Sequence, residues 1–69
     1  MATRKELLQY VKNTDGGATM DDFISDWAPV GYMAWMELRG AELVYSNSFN
    51  RIQLTPSGER RLKELSENK

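Results

Sequence analysis

A mainly α-helical domain with one small β-hairpin, in the order α-α-α-β-β-α, is what this sequence predicts. Three observations lead there. Two threonines, Thr3 and Thr19, each stand three residues before an acidic side chain at the head of an apolar-periodic run, the pattern that opens a helix. After Gly40 the pattern changes to the two-residue alternation of strands. Thr55-Pro56 then opens a last amphipathic run. A chain of 69 residues has room for one core, so residues 1–69 are read as a single domain.

The first helix starts at Thr3, whose side chain and that of Glu6 each satisfy a free backbone amide in a capping box. Leu7, Leu8 and Val11 share one face, and Asp15-Gly16-Gly17 ends the run because glycine tolerates the left-handed turn that closes a helix. The second helix is capped by Thr19 with Asp22, and the pair Asp21 and Asp22 suits the positive end of its dipole. Phe23, Ile24 and Trp27 supply its buried side. Proline disfavours helical geometry in the residue before it, so Ala28-Pro29 reads as a tight junction to a third helix from about Val30 to about Gly40.

That third helix is apolar nearly all round. Gly31, Ala34, Trp35 and Leu38 fit a core face, which leaves Tyr32, Met33 and Met36 on the other side. Two readings of this stripe stand: methionine fills irregular gaps in interiors, or the helix carries a second apolar surface that meets a partner. Leu43-Val44-Tyr45 and Arg51-Ile52-Gln53-Leu54 are rich in strand formers, with Ser46-Asn47-Ser48-Phe49-Asn50 as a polar loop between them. In the closing helix Leu62 and Leu65 face inward, Glu59 with Lys63 and Lys63 with Glu67 form exposed pairs four apart, and Ser66 to Lys69 is expected to fray. Trp27 and Trp35 are read as core anchors.

Composition removes several functions. The chain has no cysteine and no histidine, which excludes disulfides, thiol redox chemistry and the usual zinc ligand sets and nucleophile–base pairs. Capping already explains Asp21 and Asp22, and Gly16-Gly17 lacks the lysine and hydroxyl of a phosphate loop. No catalytic residue, metal ligand or cofactor is therefore expected. The basic opening Met1-Ala2-Thr3-Arg4-Lys5 is followed by no apolar run of signal or membrane-spanning length, so a cytoplasmic protein with no membrane contact is expected. Formal net charge is −1, from nine basic and ten acidic side chains, so any binding to a polyanion must use a local patch. The basic run Arg60, Arg61 and Lys63 is interleaved with Glu59, Glu64 and Glu67 and reads as an ordinary charged face.

Leu38-Arg39-Gly40-Ala41-Glu42-Leu43-Val44 resembles the end of a recognition helix entering the first wing strand of winged-helix regulators of the MarR type. Ile52 to Leu62 resembles their second wing strand and following helix, with Leu54, Thr55 and Gly58 at the places of that family's leucine, threonine and glycine. The resemblance covers the whole chain in architecture and about the last thirty residues in motif. Glu42 stands where the family usually has a glycine leading into the strand.

The resemblance implies a winged helix and a non-enzymatic transcription regulator that lays its third helix in the major groove of duplex DNA and sets its wing against the backbone or minor groove. Carried over by position, the DNA-binding surface comprises Tyr32, Met33, Met36, Glu37 and Arg39 on the helix and Asn47, Ser48, Asn50 and Arg51 on or beside the wing. Arg39, Arg51 and the amides near Thr19 are the phosphate-binding candidates. A dimer is expected from size, since one such domain touches little DNA. The alternative is a protein-interaction or dimerisation module using Tyr32, Met33 and Met36, because base-reading helices prefer polar side chains there.

Overall fold

The computed structural model describes residues 3–67. These form α1 (Arg4–Thr14), α2 (Met20–Asp26), α3 (Gly31–Gly40), β1 (Val44–Ser46), β2 (Ile52–Leu54) and α4 (Pro56–Glu67), the predicted order. Both capping boxes are present. Thr3 Oγ1 accepts from the Glu6 amide at 3.2 Å while the Thr3 amide donates to the Glu6 carboxylate at 3.0 Å, and that acceptor role holds the Glu6 carboxyl below its usual range. Thr19 and Asp22 repeat the arrangement at 3.2 and 3.1 Å. At the end of α1 the left-handed conformation starts one residue before the glycines, at Asp15 (φ 45°), and continues at Gly16 (φ 78°).

The core gathers Leu7, Leu8 and Val11 of α1, Phe23 of α2, Trp35 and Leu38 of α3, Leu43 and Val44 at the first strand, Ile52 and Leu62. Trp35 lies at its centre, with its ring 5.5 Å from that of Phe23 in an edge-on arrangement. Ala18, ahead of α2, is buried too. Ile24 and Trp27 are only half-buried, and Trp27 is the residue after α2 rather than part of it. The Tyr10 phenol donates to Asp26 Oδ2 and so ties α1 to the end of α2. Partial burial, then the Asp26 carboxylate, push that phenol up to about 12, so it remains a donor throughout the neutral range.

Four residues, Trp27 to Val30, separate α2 from α3, and the two helices pack directly on each other. The approach is close enough that a Cβ on Gly31 would lie 2.4 Å from the Ile24 carbonyl oxygen. Glycine is therefore required at the first position of α3 by contact.

The first strand begins one residue later than expected, and the reason lies in how α3 ends. The Glu42 amide donates to the Arg39 carbonyl at 2.9 Å and the Leu43 amide to the Leu38 carbonyl at 3.0 Å. This nested pair is the Schellman closure, which requires a left-handed residue, and Glu42 supplies it with φ 61°. Leu43 is thus committed to the helix end before the ladder starts at Val44. Gly40 lies inside the last turn of α3, where nothing requires glycine. Because left-handed backbone costs an ordinary L residue about 1 kcal/mol or more, Glu42→Gly is expected to stabilise the domain by about 1 kcal/mol, read as a rise of roughly 4–8 °C in Tm. An unchanged or lower Tm would contradict this account of the turn.

The hairpin is antiparallel, pairing Val44 with Leu54, Tyr45 with Gln53 and Ser46 with Ile52. Ladders this short have little stability of their own. One anchor is the Ile52 amide, which donates to the Ala18 carbonyl at 2.9 Å and fastens β2 to the α1–α2 connection. The other lies at its base, where the Thr55 amide donates to the Leu43 carbonyl at 3.0 Å and Thr55 Oγ1 donates to the Glu42 carbonyl at 2.6 Å. Thr55 Oγ1 also accepts from the Gly58 amide at 2.9 Å, capping α4. These contacts give the spacing of Thr55 and Gly58 a physical basis.

Two expectations for α4 are corrected. Glu59 reaches across to Lys12 of α1 at 3.3 Å instead of pairing with Lys63, and among the described residues Lys63 forms no ion pair with Glu67 either. Arg61 with Glu64, at 3.6 Å, is the pair within the helix. Ser66 and Glu67 are helical rather than frayed, and Asn68 and Lys69 lie outside the described residues.

Candidate nucleic-acid interface

The stripe on α3 is exposed, which removes the reading that its residues fill the core. Tyr32 is 55% exposed, Met33 74% and Met36 49%, while Trp35 and Leu38 on the opposite side are buried. At about 100° per residue, Tyr32, Met36 and Arg39 fall in one line along the helix, whereas Met33 and Glu37 lie roughly a quarter-turn or more to one side. That side faces α1. Met33 and Glu37 line a groove of about 270 Å³ with Arg4, Leu7, Val30, Ala34 and Leu38, and Glu37 Oε1 accepts from the Arg4 guanidinium at 2.9 Å. The five predicted helix residues therefore divide into an outer line ending in Arg39 and a pair beside α1 in which Glu37 already has a partner.

The hairpin tip divides in the same way. Asn47 is half-buried and its polar atoms are used internally: Oδ1 accepts from the amides of Phe49 at 2.9 Å and Arg51 at 3.0 Å, and Nδ2 donates to Gln53 Oε1 at 3.2 Å. Its backbone amide donates to the Arg51 carbonyl at 2.8 Å and its carbonyl accepts from the Asn50 amide at 2.9 Å. Asn47 thus builds the turn. Asn50 takes the left-handed conformation that closes it (φ 61°), and its Oδ1 accepts from Ser46 Oγ at 3.3 Å. Ser48 and Arg51 stay exposed.

Phe49, placed among polar neighbours in the expected loop, is at 81% the most exposed large apolar residue described. The signal was available: one aromatic residue flanked by serine and asparagine in the middle of a hairpin loop has no core to enter.

Two of the amides near Thr19 are already engaged, because the Asp22 carboxylate accepts from that of Thr19 and the Thr19 hydroxyl from that of Asp22. Arg39 and Arg51 have no carboxylate partner among the described residues. Between Glu42 and Glu59 the only charged residue is Arg51, so the hairpin is locally positive in a chain of net charge −1. Chemically, the surface offers two guanidinium groups without a carboxylate partner among the described residues, an apolar line on α3 and a tip of polar residues around one exposed phenylalanine. Among the described residues no group of three or more Asp or Glu side chains is placed to hold a metal ion, and no helix is long and apolar enough to cross a membrane.

No protein-family model matches the chain, and neither a curated protein nor a solved structure matches it.

Proposed function

We propose that this domain is a small cytoplasmic winged-helix regulator of transcription that binds duplex DNA, with the Tyr32, Met36 and Arg39 line of α3 in the major groove and the hairpin against the adjoining backbone or minor groove. The observation that carries this reading is the helix pair itself. α3 follows α2 after a four-residue turn and keeps its outer line uncovered, beside a hairpin with Arg51 as its only charge. A helix-turn-helix unit uses such a second helix for base contact and its flanks for phosphate contact. The resemblance at Leu54, Thr55 and Gly58 points the same way. Action as a dimer would double the small footprint of one domain.

A second reading is favoured by one observation: Tyr32, Met33 and Met36 expose apolar rather than base-reading side chains, beside the groove between α1 and α3. In that reading the same helix face docks a protein or a second copy of the domain.

A titration of amide resonances with a 20-base-pair duplex, at two salt and two protein concentrations, separates them. Binding to DNA is expected to shift Tyr32, Met36, Arg39 and the segment Asn47 to Arg51. Two arginine–phosphate contacts give an affinity that falls with salt at a logarithmic slope of about −2. Shifts at Tyr32, Met33 and Met36 that grow with protein concentration and ignore DNA would replace the DNA reading with the second.

A further inference from the structure

We infer that Phe49 is an apolar wedge that enters the minor groove of duplex DNA and unstacks a base step, an inference that rests on the duplex-DNA reading above. The ring is 81% exposed, yet the backbone beneath it is fixed. The Phe49 amide donates to Asn47 Oδ1, the strands on either side are joined by the Asn47–Arg51 bond, and Asn50 closes the turn in its left-handed conformation. A side chain presented on so constrained a turn loses little further backbone freedom on binding.

The surroundings of the ring select the partner. Phe49 has Ser48 on one side and Asn50 and Arg51 on the other, so along the loop it is a single apolar point among hydrogen-bonding groups rather than part of a contiguous patch of the kind that marks a protein interface. No carboxylate lies between Glu42 and Glu59 to repel phosphates. A loop tip, unlike a helix, fits a groove about 6 Å wide, whose acceptors suit the flanking serine hydroxyl and asparagine amide. Apolar side chains inserted there part the stack most readily at pyrimidine–purine steps.

The test uses the full chain and a 20-base-pair duplex carrying 2-aminopurine at a central TA step. Fluorescence of the probe rises when its neighbour unstacks, and fluorescence anisotropy of an end label reports binding independently. Wild-type protein is expected to bind and raise the 2-aminopurine signal. Phe49→Ser is expected to lose that rise and to bind about tenfold more weakly, with the salt slope unchanged because the arginine contacts remain. Phe49→Leu is expected to keep part of the rise. Because Phe49 is exposed and lies outside the core, both variants should melt with the wild type.

Binding by wild type with no change in 2-aminopurine, or a rise that Phe49→Ser retains, would overturn the wedge and leave the DNA reading standing. No anisotropy change at low salt would overturn both. Loss in Phe49→Ser of a concentration-dependent self-association, with DNA binding intact, would assign the residue to a protein contact instead.

Discussion

Gly58→Ala is expected to remove most of the domain's stability. A Cβ at this position would lie 1.9 Å from the Leu43 carbonyl oxygen and 2.9 Å from the carbonyl carbon. Backbone, unlike the tip of a long side chain, cannot swing aside. The Leu43 carbonyl already accepts from the Thr55 amide, and the Leu43 amide donates to Leu38, so moving it breaks both the hairpin base and the end of α3. Moving α4 instead breaks the Gly58 to Thr55 cap. Overpacking of this kind costs about 1–3 kcal/mol, and a lost cap about 1 kcal/mol more. A single core in a chain of this size rarely supplies more than about 3–5 kcal/mol. The check is far-UV circular dichroism during thermal melting; a Tm within a few degrees of wild type would show that the approach of α4 to Leu43 is looser than these distances.

Trp35→Ala is expected to have a similar result by the opposite route. The side chain is fully buried and touches the Phe23 ring edge-on, so its removal opens a cavity at the centre of the core. Truncation of a buried tryptophan costs about 3–5 kcal/mol. Trp35→Phe is the informative companion. The indole Nε1 is buried without a hydrogen-bond partner among the described groups, and a buried unsatisfied donor costs about 1–3 kcal/mol. Phenylalanine removes that donor while keeping most of the apolar contact. Denaturant unfolding should therefore place Trp35→Phe close to wild type and Trp35→Ala without a folded baseline. If both variants unfold alike, the indole has a role that its packing does not account for.

Most of the fold was legible because its signals are local. The boxes at Thr3 with Glu6 and Thr19 with Asp22 each involve residues three apart, and the Thr55-Pro56 start needs only its own neighbours. The inward face of α3 followed from helical spacing around Trp35. What escaped the sequence depends on partners far along the chain. The Lys12–Glu59 and Arg4–Glu37 pairs join residues that only tertiary packing brings together, as does the Ile52 bond to Ala18.

All nine predicted residues lie on α3 or the hairpin, but Glu37, Asn47 and Asn50 already have internal partners. Asn47 is a case where a polar side chain in a loop serves its own turn, which its spacing from Phe49 alone could have signalled. Glu42 is the converse. Its place in the family comparison marked it as unusual, yet only the backbone angles reveal that it closes α3.

The junction of Glu42, Leu43, Thr55 and Gly58 has a mechanical consequence. Within a few residues it joins the tail of the third helix, both feet of the hairpin and the head of the last helix by bonds between 2.6 and 3.0 Å. The spacing between helix and hairpin is therefore held by the chain's own bonds, like a caliper locked at its pivot.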